Sequence, residues 1–438
     1  MQPGKHVITG AGLLGGAVTL AALLALPATP AHADEAIEGP GVEVSPGTVI
    51  HPNVGAEAGV INNVFFEESD AGPVTSGLLR ISAKMDVASA KIEPEEEVPG
   101  EEPGKEPAPQ TFTFRAGLAA AYEEYLYYSN PSATAQRNLT FDGQAHLQVY
   151  PEGTWSFLAD DRLRRDVRPR NYEDATSTNR IDNTLGLAVR FQPGGHQLTG
   201  TLRYENVIDA YEGGTGVANR MNQTLGLRGD WQLFPYTKIF ADLSYGFYGP
   251  LGDAQPVAGS LTKQSSNPLR FLVGAATALS EPITLKAHVG WAYSPYAMGE
   301  GYNAPLLDLE AGYEYSPTGR VVAEYSLDYQ DSTNANYWRD HKLQLRVDQQ
   351  VRKLLLTGGV DFVLRGYRGI TGIGEPNRDD VILAARIRAQ YVLNERYYLT
   401  GEYVGVTDQT DYRSTFMGFT DDPSYSRNEL MFGARAAF

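Results

Sequence analysis

Charged side chains recur at alternate positions in several segments of this chain, and two such sets could line a polar surface or channel. The acidic set is Asp308, Glu310, Glu314, Glu324 and Asp328, and the basic set is Arg346, Arg352, Arg386, Arg388 and Arg435. Opposed acidic and basic walls would set a transverse field across a pore. Alternatively, the charges pair across neighbouring strands and stiffen the wall.

A second basic cluster falls within one short window and consists of Arg162, Arg164, Arg165, Arg168 and Arg170. Because the guanidinium fork suits phosphates and carboxylates, this cluster could bind an anionic polymer or lipopolysaccharide phosphates at an extracellular rim. Asp160, Asp161 and Asp166 lie among these arginines. A solvated loop of mixed charge is therefore the competing interpretation.

Enzymatic chemistry has little support in the sequence. The histidines beyond the N-terminal segment are scattered, and neither an HExxH nor a GxSxG motif occurs. Zero Cys excludes thiolate metal sites, catalytic thiols and disulfides. The formal net charge of -17 argues against binding nucleic acid, which needs a basic face. We therefore expect a protein without a catalytic, cofactor or metal site.

The elements that carry these charges show a period of two. From Val381 to Leu393, apolar residues alternate with polar ones that include Arg386, Arg388 and Gln390. A helix would scatter these charges around its surface, whereas a strand collects them on one face. Short Pro or Gly turns such as Pro193-Gly194-Gly195 separate such runs, so the chain reads as hairpins in series.

The pattern predicts an all-β fold, a transmembrane antiparallel up-and-down β-barrel of about eighteen strands. The expected strands are 51–66, 75–90, 111–128, 137–150, 154–168, 180–192, 196–211, 220–234, 237–249, 268–280, 283–297, 304–316, 320–332, 339–353, 354–368, 379–393, 396–409 and 426–438. If residues 51–90 lie outside the barrel, sixteen strands remain. The 26 Tyr residues suit the aromatic girdles of such a barrel.

The domain plan has three parts. Residues 1–33 combine Lys5, an apolar run and Ala31-His32-Ala33, which predicts a cleaved signal peptide, with an uncleaved anchor helix as the alternative. Residues 34–50 form an N-terminal segment and 51–438 the barrel, interrupted by an acidic Pro-rich insert at 91–110 that we expect to be disordered. An even strand number places the N-terminus and this insert in the periplasm.

Two short stretches carry a family resemblance. The chain ends on Phe438 after an alternating strand, which resembles the C-terminal strand that the outer-membrane barrel-assembly machinery recognises. His51-Pro52-Asn53-Val54-Gly55, followed by Asn62-Asn63-Val64-Phe65, resembles the first strand of the porin 2-like family of outer-membrane β-barrels. Some members of this kind serve bacterial exopolysaccharide secretion.

The resemblance implies an integral outer-membrane protein embedded in lipid and lipopolysaccharide, with Phe438 as its assembly signal. It further implies a conduit that exports a polysaccharide, together with a periplasmic polysaccharide-export protein to which the acidic insert would dock. A general diffusion porin for small solutes is the second hypothesis, and a structural or adhesive surface barrel is the third.

Overall fold

The computed structural model describes most of the chain beyond its N-terminal segment. The described residues are 39–45, 47–68, 72–89, 111–127, 130, 133, 138–166, 179–194, 197–212, 219–251, 265–332, 335–369, 377–410, 412–416, 419–421 and 424–438. The expected signal peptide, the acidic insert, Arg168 and Arg170 lie outside these residues. Among the described residues, no helix is long and apolar enough to cross a membrane.

Strands dominate the structure, in the order β1 to β21. Their bounds are Val42–Ser45, Thr48–Ile61, Ser76–Ser89, Phe112–Tyr125, Asn138–Val149, Trp155–Asp166, Arg180–Phe191, Leu198–Tyr211, Arg220–Phe234, Thr237–Pro250, Leu269–Ser280, Ile283–Ser294, Tyr302–Ser316, Gly319–Asp331, Tyr337–Val351, Leu354–Arg368, Arg378–Val392, Tyr397–Thr410, Ser414–Phe416, Phe419–Asp421 and Tyr425–Ala437. β2 to β18 and β21 form a closed antiparallel ring of eighteen strands.

The ring closes because β2 pairs with β21, with Asn53 opposite Ala437 and Ile61 opposite Glu429. Since β2 and β3 are members of the ring, the expectation of eighteen strands is confirmed and the sixteen-strand alternative is wrong. β1 lies outside the ring and pairs with the start of β2. This strand is short and exposed, and it is not among the strands expected from the sequence.

Alternation along each strand separates the two faces of the wall. On β17, Val381, Leu383 and Ile387 are exposed on the outer face, whereas Arg378 and Asp380 are buried on the inner face. Large apolar side chains on the outer face suit lipid, and the polar inner face needs water or ion partners. The wall is therefore apolar outside and charged inside.

The two ends of the ring differ in their connections. At one end, which we call the turn end, successive strands are joined mostly by tight turns, and residues 39 and 438 lie there. The opposite end, the loop end, carries most of the longer connections, including a hairpin of β19 and β20. Arg352 belongs to a turn at the turn end, in the left-handed conformation with φ 56°.

Two of the expected positions are corrected by the structure. The strand expected over 339–353 ends at Val351, because Arg352 and Lys353 form the turn that reverses the chain, so Arg352 is not part of the lumen wall. The strand expected over 51–66 ends at Ile61. Residues 62–66 leave the wall because Asn63 and Phe66 adopt left-handed backbone conformations, with φ 50° and 59°.

Candidate pore lining and constriction

An ion network of two arginines and three glutamates lines the lumen where the ring closes. Arg80 on β3 reaches Glu57 on β2 at 3.0 Å, Glu123 on β4 at 2.9 Å and Glu429 on β21 at 3.2 Å. Arg435 on β21 reaches Glu57 at 2.9 Å. Arg80, Glu57 and Glu123 are each less than one tenth exposed. We call these five residues the seam network, because they tie β21 to β2 and the next two strands.

Close approach of the strands makes the seam network possible. A Cβ added to Gly433 would overlap the side chain of Glu57 and the backbone of Ala56. Glycine at this position lets the Glu57 side chain lie flat against β21 and reach both arginines. Burying charges is costly unless they are paired with good geometry, and here each carboxylate has a guanidinium within hydrogen-bonding distance.

The connection after β2 folds inward over the seam network. We call residues 62–68 and 72–75 the inner lip. Val64 of the lip joins a buried apolar cluster made of Ile61, Leu78, Tyr125 and Met431. All four partners lie on inner faces of their strands, so this cluster occupies the lumen at the loop end.

Polar and aromatic contacts hold the inner lip in place. Asn63, which is fully buried, donates from its side-chain amide to the carbonyl of Ser426 at 3.0 Å. The Phe66 ring meets the Tyr425 ring edge-on, with centroids 4.9 Å apart. The Arg427 guanidinium lies 4.4 Å from the centroid of the Phe66 ring. Both partners belong to β21, so the last strand of the ring holds the loop of the first.

A cluster rich in aromatic residues lies on β11 to β15 at the loop end of the ring. Tyr302 stacks on Tyr329 with centroids 4.1 Å apart, and Tyr337 meets Tyr302 edge-on. β13 pairs with β14 only as far as Leu307 opposite Leu327. The two strands separate beyond that point, and the stacked tyrosines fill the gap.

Arginines bracketed by carboxylates and aromatic rings continue the loop-end lining on β15 to β17. Arg365 forms a bidentate pair with Asp340 at 2.9 and 2.8 Å and lies 4.5 Å from the Trp338 ring centroid. Arg378 forms a bidentate pair with Asp380. These residues are not among those expected from the sequence, although Arg378 and Asp380 occupy the same alternate positions of β17 as Arg386 and Arg388. Together with the inner lip, they narrow the lumen at the loop end.

The acidic residues expected in the lumen lie on inward-facing positions of β13 and β14, and three of them, Asp328, Glu310 and Glu314, have an arginine or lysine as a neighbour. Asp328 is 3.0 Å from Arg270 of β11, and Glu310 is 3.8 Å from Lys286 of β12. Asp308 lies 3.6 Å from His288. Glu324 stands opposite Glu310 and Gln344, and Glu314 stands opposite Arg320.

The basic residues expected in the lumen are also paired, apart from Arg352, which the structure places in a turn. Arg386 and Arg388 on β17 share Glu402 of β18 at 3.5 and 3.4 Å. Arg346 approaches Asp348 at 3.8 Å, and its side chain is 52% exposed. Ion pairs between neighbouring positions therefore offset much of the charge on both walls, and Arg346 is the expected lumen arginine most open to the channel.

The described part of the expected rim cluster is divided between the two faces of β6. Arg162 and Arg164 point inward and pair with Asp142 and Asp182 at 2.5 and 3.1 Å. Arg165 points outward and forms two hydrogen bonds of 2.8 Å with Glu212, just beyond β8. These bonds hold the pKa of Glu212 below its ordinary value. The three arginines do not converge on one surface.

Histidine and carboxylate groups in the lumen do not assemble a metal centre in the described residues. His146 lies 2.5 Å from Asp160, and each histidine in the lumen has a single carboxylate partner at most. No group of three or more possible ligands occurs in the part of the chain that the structure describes.

A closed ring of eighteen antiparallel strands, apolar outside and charged within, defines an outer-membrane β-barrel of the porin type. The chain belongs to the family described as Putative beta-barrel porin 2, whose model matches residues 111–438. This match begins at the edge of β4 and runs to the C-terminus. It confirms the family resemblance seen in the sequence. No curated protein matches the chain.

Solved structures to which the chain is similar include the following three. OpdK from Pseudomonas aeruginosa is 10% identical, with 89% of this chain and 99% of that chain covered and a TM-score of 0.46. OccK2 (OpdF) from Pseudomonas aeruginosa, in complex with glucuronate, is 10% identical, with 89% and 98% covered and a TM-score of 0.46. OccAB4 from Acinetobacter baumannii is 10% identical, with 91% and 99% covered and a TM-score of 0.45.

Proposed function

We propose that this porin-like barrel is an outer-membrane conduit that exports a secreted polysaccharide. The observation that carries the proposal is a closed ring of eighteen strands whose inner face is polar and charged, in a family of barrel porins. A ring of this size is wide enough to leave an aqueous channel between its side chains.

The charge arrangement in the lumen suits a long hydrophilic cargo. The described carboxylates and guanidiniums of the lumen are largely paired along the wall, as with Arg388 and Glu402 at 3.4 Å. A wall whose charges are already paired offers many hydrogen-bonding groups but few strong fixed ions. A sugar polymer can exchange hydrogen bonds with such a wall as it slides, without being trapped at one charged site.

The proposed orientation places the turn end in the periplasm. The acidic Pro-rich insert at 91–110 then joins β3 and β4 on the periplasmic side, where a polysaccharide-export protein would dock. Closely spaced carboxylates and prolines disfavour a packed core and leave a segment free to bind a partner. The narrowed loop end would face the exterior and limit leakage when no polymer is in transit.

Deleting the gene tests the cargo. The expected result is loss of surface polysaccharide while polymer synthesis inside the cell continues, with restoration by a plasmid copy of the full chain. A second variant that lacks only residues 91–110 should still assemble and should lose export if the insert docks the partner. Unchanged surface polymer in the deletion strain would overturn the proposal.

A general diffusion porin is the second candidate, and the family description favours it. Purified protein in planar bilayers should then conduct steadily without any partner, and the deletion strain should take up small solutes more slowly. A barrel that stays closed in bilayers would count against this candidate, because diffusion porins need no partner to open.

A further inference from the structure

Four polar side chains interrupt the apolar outer wall on four adjacent strands. They are Asp161 on β6, Asn183 on β7, Asn206 on β8 and Gln223 on β9, and we call them the outer polar stripe. All four side chains point outward, because each lies an even number of residues from exposed apolar residues of its own strand. Those neighbours include Phe157, Leu163, Ile181, Leu187, Leu202 and Leu225.

The outer polar stripe lies inside the apolar band and not at its edge. Each of its residues is followed toward the loop end by another outward apolar residue, and these are Leu163, Ile181, Ile208 and Met221. On the turn-end side, each strand continues with apolar side chains such as Ala159 and Tyr204. A water boundary would place polar residues at the end of the band, so the boundary of the membrane does not explain the stripe.

The four side chains occupy two neighbouring rows of the outer wall, and Leu185 separates Asp161 from Asn206 within one of them. Asp161 stands opposite Leu185, Leu185 opposite Asn206, and Asn206 opposite Gln223. Asn183 donates to the Asp161 carboxylate at 2.8 Å. The four side chains therefore lie near one another on four adjacent strands.

Two of the amide groups in the stripe have no hydrogen-bond partner, or only a weak one, among the described residues. The Asn206 side-chain oxygen is buried and accepts no hydrogen bond. The Gln223 amide nitrogen reaches the Met221 sulfur at 3.7 Å, and a thioether is a weak acceptor. Lipid tails offer no hydrogen-bond partner, so amide groups on the outer wall that lack a protein partner are unsatisfied in an isolated barrel, at a cost in free energy.

We propose that the outer polar stripe is the interface through which this barrel associates laterally with a second copy of itself in the membrane. Amide side chains both donate and accept hydrogen bonds, so the same stripe on a copy related by a two-fold axis is a chemical complement. The Asp161 carboxylate accepts only, and the amides of Asn206 and Gln223 on the other copy supply donors. Polar groups within the membrane stabilise such contacts between proteins.

The wall beside the stripe has the shape that a close contact needs. A groove of about 370 Å³ runs along its turn-end side, lined by Ala159, Leu187, Tyr204 and Leu225 among others. Tyr204 and Leu225 stand opposite each other in the row next to Asn206 and Gln223. Apolar side chains of the second copy can enter this groove while the two stripes exchange hydrogen bonds.

Cysteine crosslinking tests the interface directly, because the natural chain contains 0 Cys. Asn206→Cys in the full chain, oxidised in native outer membranes, should give a disulfide-linked band at twice the monomer mass. Leu345→Cys, on the outer wall of β15, is the matched control and should stay monomeric. Absence of the Asn206→Cys dimer, equal crosslinking of both variants, or crosslinking only to a different protein would overturn the proposal.

A second variant separates association from folding. The triple variant Asp161→Leu, Asn206→Leu and Gln223→Leu makes the outer wall uniformly apolar, so the barrel should still fold and remain heat-modifiable on gels. Its dimer fraction in native electrophoresis should fall at least tenfold, whereas Gln349→Leu, an outward polar residue of β15, should leave that fraction unchanged. A triple variant that remains dimeric would also overturn the proposal.

Discussion

Arg435 donates to Glu57 at 2.9 Å and thereby joins the last strand of the ring to the first on the lumen side. On the outer face of the same seam, Phe432 is 61% exposed opposite Ala58. Closure of the barrel therefore brings together ion pairs inside and apolar side chains outside.

Replacing Arg80 with Met should destabilise the folded barrel strongly. The change leaves Glu123 and Glu429 without the guanidinium that contacts them at 2.9 and 3.2 Å. Removing one partner of a buried ion pair costs about 3–5 kcal/mol. The midpoint of urea unfolding, followed by the heat-modifiable band in detergent, measures the effect. Arg435→Ala is the control and should assemble, because Glu57 keeps Arg80; equal destabilisation by both variants would contradict the seam network.

Replacing Phe432 with Asp should impair assembly. The side chain faces lipid near the middle of β21, where a carboxylate loses its hydration and gains no partner. The folded fraction in outer-membrane preparations is the measurement, and Phe432→Leu should assemble normally. If the Asp variant folds as well as the Leu variant, the assignment of the outer face of β21 is wrong.

Replacing Phe66 with Ala should widen the lumen at the loop end. The change removes the ring that contacts Tyr425 and Arg427 and that holds the inner lip against β21. Single-channel conductance in planar bilayers should rise relative to the natural chain. Phe362→Ala, an aromatic change on the outer face of β16, should leave conductance unchanged. Equal conductance for all three proteins would show that the inner lip does not narrow the lumen.

Replacing Arg346 with Glu should shift ion selectivity toward cations. This side chain is 52% exposed in the lumen and is held only loosely by Asp348 at 3.8 Å, so permeating ions feel its charge. The reversal potential in a salt gradient measures the shift. Arg388→Glu, which changes the charge by the same amount, should change selectivity less, because Arg388 is largely covered and lies beside Glu402. A larger effect from Arg388 would contradict this ranking.

Most of the fold follows from local alternation in the sequence. All eighteen ring strands were predicted, and nearly every bound lies within three residues of its expected position. A period of two is visible in any strand with one lipid face and one wet face, whatever its neighbours. The first strand was overextended because Val64, Phe65 and Phe66 continue an apolar run, while the backbone turn at Asn63 depends on contacts with β21.

The candidate site was predicted less completely, because parity gives the face of a residue and not its partners. Alternation predicts Arg435 on the inner face, but its contact with Glu57 requires the register in which β21 meets β2. Arg352 illustrates the opposite error. It continues the alternation of its strand, yet the chain must reverse there, and the turn removes it from the wall.

The anchor of the inner lip makes narrowing of the lumen a late event in biogenesis. Asn63 is held by the Ser426 carbonyl, and Phe66 by Tyr425 and Arg427, all on the last strand. The inner lip therefore lacks these contacts until the final strand has paired with the first. Before that pairing the inner lip cannot be held across the lumen, so the order in which the strands pair sets when the loop end narrows.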